Sequence, residues 1–340
     1  MMKINRIIIG LLLTGSLFIL CEREDEDFTG IYCLNLQNLE MRIDQNGNDL
    51  TFSLNSDLLN NGSGTVSGDT LILTALTSGS ELFSARLIFP DNRDSFSGTF
   101  VITNSIGQAA LEGILNGNKG GCAEYDIVKK GIPQFVEKDF TQLNKIEKIS
   151  KFRSGFGHSY TDGNETCRSM KHYFDPFQQF RNNNTVEIYS PVDGIITSVL
   201  DDGYGASIGL KNKEVQIKSD DQPAFVFILF HCDIISETIE AGKKVQAGEL
   251  LGYGRLYYED LQQFVTSFDI AVSVNTPAGM RLISYFEVLS NQVFKEYISR
   301  GVNLRSDFII TRETRDASPL QCDGETFLND GTLENWVILN

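Results

Sequence analysis

Short apolar runs separated by glycine and asparagine restrict residues 28–128 to β structure. Each run is too short for a helix that buries one face, and several runs alternate apolar with polar residues as strands do. Asn46-Gly47, Asn61-Gly62 and Asn116-Gly117 lie between or beside these runs, and such pairs favour tight turns between antiparallel strands. The segment is therefore predicted to be an antiparallel β meander, a barrel or a sandwich, with a structural or binding role.

The first 20 residues have the pattern of an export signal peptide. A basic start precedes an apolar run over residues 7–20, which is shorter than the roughly 20 residues that a membrane-spanning helix needs. The run ends at Cys21, so we predict lipidation of Cys21 after cleavage and a lipid-anchored location in the cell envelope, as in bacterial lipoproteins. Leu20 departs from the small residue that usually precedes such a cysteine, and an uncleaved signal anchor is the alternative. Residues 21–27 are acidic and are predicted to form a solvated tether.

The charge and the cysteines narrow the possible partners and cross-links. A net charge of −16 and a pI of about 4.6 disfavour nucleic acid as a partner, because its phosphates would be repelled. Export permits disulfides, and Cys33 and Cys122 bracket the meander, so these two are predicted to pair. The pairing of Cys167, Cys232 and Cys322 stays open.

The chain has three histidines, His158, His172 and His231, and all of them follow the meander. Histidine is the commonest metal ligand and a base near neutral pH, so this confinement points to a single site. The site is predicted to belong to a second domain, residues 152–301. Residues 129–151 are predicted to form a linker, and residues 302–340 a C-terminal tail without an assigned role.

Within residues 152–301, a strand, turn and strand at residues 185–196 precede an apolar run at residues 224–230 and a glycine-spaced phrase at residues 239–252. Taken in this order, these pieces resemble the lysostaphin-type (LytM-like) zinc metallopeptidases, which cut peptide cross-links in bacterial cell wall. The resemblance implies a duplicated hybrid β-barrel for this domain. With the meander before it, the fold class is predicted to be mainly β.

The resemblance also implies a zinc site. His172 stands where the first zinc ligand of the family belongs, with Asp175 and Asp269 as further ligands. His231 stands where a catalytic histidine belongs. Asp175 follows His172 by three positions and not four, which puts the two on opposite faces of a strand unless a bulge intervenes. Ser267-Phe268-Asp269 replaces the his-x-his strand of the family, so no histidine is left there.

A second-rank ligand pair is His158 and Asp162, which have the four-residue spacing of the family but lie earlier than expected. Every candidate also has a structural interpretation, as a hydrogen-bonded loop or core residue, and Cys167 fits a disulfide or a thiol better than a soft metal ligand. For Asp269 the structural interpretation is weaker than for the other candidates. The residue lies in an apolar strand, where an unpaired carboxylate would be costly, and this favours a functional role.

Four functions follow from these observations. The first is an envelope lipoprotein with a degenerate peptidase-like domain that binds peptidoglycan or regulates a cell-wall hydrolase. The alternative is an active zinc endopeptidase with a variant ligand set, in which zinc would activate water and His231 would assist. A lipoyl- or biotinyl-carrier domain is disfavoured, because no lysine stands at the matching hairpin turn. A purely structural surface lipoprotein stays open.

Overall fold

The computed structural model describes residues 27–56, 59–77, 79–201, 213–258, 263–264 and 266–340. The predicted signal peptide, the lipidation of Cys21 and all but the last residue of the tether lie outside these ranges. None of the helices within them combines the length and the apolarity needed to cross a bilayer.

The meander closes into an eight-stranded barrel. Each strand pairs antiparallel with the next along the chain, and the eighth pairs back with the first. The predicted mainly β fold class is therefore confirmed, and the first part is a barrel and not a sandwich. Its strands are β1 Gly30–Leu34, β2 Glu40–Asn46, β3 Asp49–Leu54, β4 Gly62–Ser67, β5 Thr70–Leu76, β6 Leu82–Ile88, β7 Ser95–Thr103 and β8 Ala109–Lys119.

Alternation of side chains fills the barrel with aromatic rings, because inward positions are apolar and outward positions largely polar. Gly47 adopts φ +62° in the tight turn between β2 and β3, as the Asn46-Gly47 pair predicts. Asn116-Gly117 lies inside β8 and not in a turn. Gly117 is needed there for space, since a Cβ would lie 2.3 Å from the ring of Phe96.

Two disulfides are formed in the described residues. The predicted Cys33–Cys122 bond ties β1 to the segment that follows β8 and is confirmed. Cys167 pairs with Cys322 across 155 residues of sequence, while Cys232 is buried and keeps its thiol.

The part of the chain that follows β8, which we call the second half, is also rich in strands, and it contains short helices. The predicted linker holds β9 and the last two residues of α1, and the predicted tail holds α4 and the last three strands. The division into domains stays a prediction. The elements are α1 Ile127–Lys130, β9 Ile146–Ser150, β10 His172–Pro176, β11 Glu187–Tyr189, β12 Gly194–Asp201, β13 Lys213–Ser219, β14 Phe225–Ile234, β15 Lys244–Val245, β16 Leu250–Gly254, β17 Tyr257–Tyr258, β18 Gln263–Phe264, β19 Phe268–Thr276, β20 Gly279–Ile283, α2 Tyr285–Val288, α3 Asn291–Ser299, α4 Arg312–Ala317, β21 Cys322–Asp323, β22 Thr326–Phe327 and β23 Trp336–Ile338.

Strand β14 lies between two cores. Phe225, Phe227 and Leu229 face a core made of the second half alone, whereas Val226 and Ile228 face residues that continue into the barrel core. All of these side chains are buried, which explains why the run reads as continuously apolar. The barrel and the second half thus share buried apolar surface.

The loop between β1 and β2 adds polar contacts to this junction. The Gln37 backbone N–H donates to Gln216 Oε1 at 2.8 Å, and Asn38 Nδ2 donates to the Pro223 carbonyl at 2.8 Å. These contacts place the β1–β2 end of the barrel against β13 and the residues just before β14.

The close approach of β6 and β7 at Gly98 yields a stability prediction. A Cβ at this position would lie 2.0 Å from the Arg86 carbonyl oxygen and 2.8 Å from Leu87 Cα, which are backbone atoms of the sheet. Because the strands must separate to admit a methyl group, Gly98→Ala is expected to lower the free energy of unfolding by about 2 kcal/mol. Denaturant titration measures this change in the free energy of unfolding. Gly79→Ala is the control, since its Cβ would meet only Thr77 Oγ1 at 3.6 Å; equal losses in both variants would contradict the prediction.

Candidate functional site

Asp269 lies in the middle of the second-half sheet, where a carboxylate is costly. Its strand β19 is flanked by β10 and β14, with Tyr173 directly opposite on one side and Phe230 on the other. Residues directly opposite each other share a face of the sheet, so Asp269 projects among these two aromatic residues. The side chain is fully buried.

Two cationic or polar groups contact this carboxylate. Lys171 Nζ lies 2.6 Å from Asp269 Oδ2, and His231 Nε2 lies 3.3 Å from Oδ1. Lys171 is only 2% exposed, so the ion pair is almost completely removed from water. Loss of one member of such a pair costs about 3–5 kcal/mol, because the other charge is left buried without compensation.

Aromatic rings complete the surroundings of the ammonium. Lys171 Nζ lies 4.1 Å from the ring centroid of Phe230, 5.0 Å from that of Tyr160 and 5.2 Å from that of Tyr173. The faces of aromatic rings attract cations, so the rings reinforce the carboxylate. We call Lys171, Asp269, His231, Tyr160 and Tyr173, with the Phe230 ring, the ammonium cluster.

The charges of the cluster follow from its burial and its contacts. Burial alone would lower the pKa of Lys171, but the Asp269 carboxylate outweighs it and holds that pKa above its ordinary value. Burial raises the pKa of Tyr173 to about 12 and raises that of Tyr160 as well. Near neutral pH the lysine is therefore charged and both phenols are protonated.

His231 lies where β14 changes partner. Phe230 pairs with β19, whereas Cys232 pairs with Gly254 of β16. Between them His231 has φ +56°, which is uncommon for a residue with a side chain and turns the strand at this point. Its side chain is 17% exposed, more than those of Lys171 and Asp269.

His172 faces away from the ammonium cluster. It lies opposite Ile270 and next to Tyr173, so strand alternation puts it on the other face of the sheet from Asp269. Its Nδ1–H donates to the Ser150 carbonyl at 2.8 Å, and its Nε2 accepts from the Ser284 hydroxyl at 2.8 Å. Burial lowers the pKa of His172 to about 4, with the Ser150 carbonyl opposing the shift. Both ring nitrogens of a neutral imidazole are thus engaged in structural hydrogen bonds.

Asp175 forms ion pairs with two cations outside the ammonium cluster. Arg181 Nη2 lies 2.9 Å from its Oδ1, and Lys148 Nζ lies 3.4 Å from its Oδ2. Burial raises the pKa of Asp175 despite these two cations. The strand has a bulge, but it follows Asp175 and therefore does not turn this side chain to the face of His172.

His158 and Asp162, the second-rank pair, contact residues outside the ammonium cluster. His158 Nδ1 lies 3.3 Å from Glu325 Oε2 in the C-terminal region. Asp162 accepts backbone N–H bonds from Leu282 at 3.2 Å and from Asn164 at 3.0 Å.

Of the predicted site residues in the described ranges, only His231 and Asp269 are brought together. In the ranges that the structure describes, no group of three or more histidine, cysteine, aspartate and glutamate side chains is placed to hold a metal ion. His172 and Asp269 project from opposite faces of the sheet, so these two predicted ligands do not face a common ion in this arrangement. Zinc binding and the assigned residue roles stay predictions.

The sequence interpretation missed Lys171. One signal was present, because a buried carboxylate in an apolar strand requires a cation. Lys171 also stands two positions before Tyr173 and therefore shares its side of the strand. The antiparallel register that puts Tyr173 opposite Asp269 was not visible in the sequence.

Comparison with known proteins identifies no family. No protein-family model matches the chain, and no curated protein matches it either. Among solved structures, it is similar to Helicobacter pylori Csd3 from an orthorhombic crystal, at 11% identity and a TM-score of 0.32, covering 78% of this chain and 82% of that one. It is also similar to Csd3 from a hexagonal crystal, at 13% identity and a TM-score of 0.31, covering 77% of this chain and 80% of that one. TM-scores this low carry no argument about this chain.

The buried neutral imidazole of His172 generates a pH prediction. Its pKa of about 4 lies below the ordinary 6.5, so between these values the unfolded chain binds more protons and acidification lowers stability. His172→Gln, which cannot titrate, is expected to reduce the loss of unfolding free energy between pH 6.5 and pH 4 by on the order of 3 kcal/mol. Denaturant titrations at several pH values measure the difference.

His158→Gln is the control, because it removes a histidine whose side chain is 41% exposed. Parallel stability profiles for wild type and His172→Gln over the same pH interval would contradict the buried neutral state of His172.

Proposed function

We propose that this chain is an exported envelope protein with a peptidase-like second half that does not cleave peptide bonds, and that it binds peptidoglycan or regulates a cell-wall hydrolase. One observation carries the proposal. The carboxylate that the resemblance assigns to zinc is neutralised by the ammonium of Lys171 at 2.6 Å, inside a ring of aromatic side chains.

An ammonium can balance the charge of a carboxylate but cannot replace a zinc ion in hydrolysis. Zinc lowers the pKa of a bound water and accepts electron density from a carbonyl oxygen, because it has empty coordination positions. The lysine nitrogen is already fully bonded and can only donate hydrogen bonds. The ammonium cluster therefore supports a structural or binding role, and the engagement of His172 with Ser150 and Ser284 supports the same conclusion.

Two further features support an envelope location. Two disulfides are typical of exported proteins, because the cytosol keeps thiols reduced. The signal-like start and Cys21 add the proposed lipid anchor. The acidic net charge leaves a cell-wall polymer or a wall-bound protein as more suitable partners than nucleic acid.

Zinc content and action on sacculi test this proposal together. The segment from Glu22 onward is purified without chelators and its metal is measured by elemental analysis, beside Asp269→Asn and His172→Gln. We expect well under about 0.1 zinc per chain in all three, because the predicted ligands do not converge. Incubated with intact sacculi, the protein is expected to sediment with them, or to alter the rate of an added hydrolase, and to release no soluble fragments.

Near-stoichiometric zinc that disappears in both variants, with release of peptide fragments from sacculi, would contradict the proposal and favour the active zinc endopeptidase. Absence of both sacculus binding and any effect on a hydrolase would overturn the proposed partners.

A further inference from the structure

The loop that covers the ammonium cluster is held from outside by the C-terminal segment. We call residues 151–171, between β9 and β10, the roof loop, and residues 311–340 the strap. Tyr160 of the roof loop packs edge-on against Phe230 with ring centroids 5.5 Å apart and covers the Lys171 ammonium at 5.0 Å. Lys171 itself is the last residue of this loop. The position of the roof loop thus decides whether the cluster is closed.

The strap contacts the roof loop along most of its length. Hydrogen bonds run from Arg315 Nε to the Arg153 carbonyl at 2.8 Å and from the Gly155 N–H to Asn335 Oδ1 at 2.8 Å. Arg168 Nη2 pairs with Asp316 Oδ1 at 2.7 Å. These contacts fix both ends of the strap on the roof loop.

The middle of the strap is a small hairpin, β21 and β22, with little packing of its own. Its two strands pair with each other, and residues 321–328 include no fully buried side chain. The Glu325 carbonyl accepts from the Ser159 N–H at 2.7 Å, and the Glu325 carboxylate contacts His158. The covalent link from Cys322 to Cys167 is therefore the strongest attachment of the hairpin to the roof loop. Segments with few buried apolar contacts open with small free energies once such a link is broken.

The surroundings of this disulfide favour exchange with an external thiol. Cys167 and Cys322 are both half-buried, and Thr166, Gln321 and Asp323 beside them are exposed. Cys167 has φ +54°, a left-handed conformation that is unfavourable for a residue with a side chain.

The disulfide of the barrel is better protected. Cys122 is 8% exposed, and Cys33, although half-buried like Cys167 and Cys322, lies in strand β1 with hydrogen-bonded strands on both sides. Exposed or strained disulfides are the labile ones, so the two bonds of this chain should differ in reactivity.

We propose that Cys167–Cys322 is a thiol-sensitive clasp that controls closure of the ammonium cluster. A thiolate of a dithiol reductant attacks one sulfur of the bond, forms a mixed disulfide and releases the other cysteine as a thiol. The second thiol of the reductant then attacks the mixed disulfide, so the reductant leaves oxidised as a cyclic disulfide. Two electrons and two protons have passed to Cys167 and Cys322. The hairpin separates, and the roof loop over Lys171 and Asp269 gains freedom. This inference does not depend on the proposed function.

The first step of the test compares the two disulfides in the folded protein from Glu22 onward. The protein is treated with increasing dithiothreitol, quenched with an alkylating reagent and mapped by mass spectrometry. Cys167 and Cys322 are expected to be alkylated at least about tenfold faster than Cys33 and Cys122. Equal rates, or faster reduction of the barrel disulfide, would overturn the clasp.

The second step measures amide hydrogen exchange in the double variant Cys167→Ser/Cys322→Ser, with Cys33→Ser/Cys122→Ser as the matched control. In the first variant, amides of residues 153–171 are expected to exchange at least about tenfold faster, while the barrel amides of residues 30–119 keep their wild-type rates. The control should not accelerate exchange in the roof loop. Unchanged exchange in residues 153–171, or acceleration throughout the chain, would contradict a local device.

Discussion

The buried ion pair between Lys171 and Asp269 is the interaction on which the second half depends. Asp269 lies near the start of β19, between strands β10 and β14, where water cannot reach its carboxylate. The apolar strands around it are stable only if this charge has a partner. Lys171 supplies that partner from the last position of the roof loop, directly before β10, so the ion pair joins the roof loop to β19. The roof loop in turn carries the contacts with the strap.

The same ion pair bears on the zinc site that the sequence resemblance implies, because it engages one of the predicted ligands. A metal site requires side chains with free lone pairs directed at one point. Here the imidazole of His172 uses both nitrogens for Ser150 and Ser284, and Asp175 is paired with Arg181 and Lys148. His172 and Asp175 are thus each bound to local partners. These contacts support the proposed binding or regulatory role, because they neutralise the charges inside the protein.

Local patterns were sufficient for the antiparallel meander but left its closure into a barrel open, and long-range register was decisive for the site. The short runs and Asn46-Gly47 predicted an antiparallel meander, and Cys33 and Cys122 at its two ends predicted their disulfide; both are confirmed. The same reasoning treated Asn116-Gly117 as a turn pair between or beside strands, whereas the pair lies within β8, where Gly117 leaves space for the Phe96 ring. The need of Asp269 for a cation was readable, but the choice of Lys171 and the Cys167–Cys322 bond could not be predicted, because each depends on which distant segments the fold brings together.

A double-mutant cycle on Lys171 and Asp269 tests the central claim most directly. The free energies of unfolding of wild type, Lys171→Met, Asp269→Asn and the double variant are measured at pH 7 by denaturant titration. If the ammonium is the resident cation of Asp269, each single variant leaves an uncompensated buried group, and the coupling energy should be about 3 kcal/mol. A coupling energy below about 0.5 kcal/mol would mean that the pair contributes nothing specific, and that Asp269 is available to another cation.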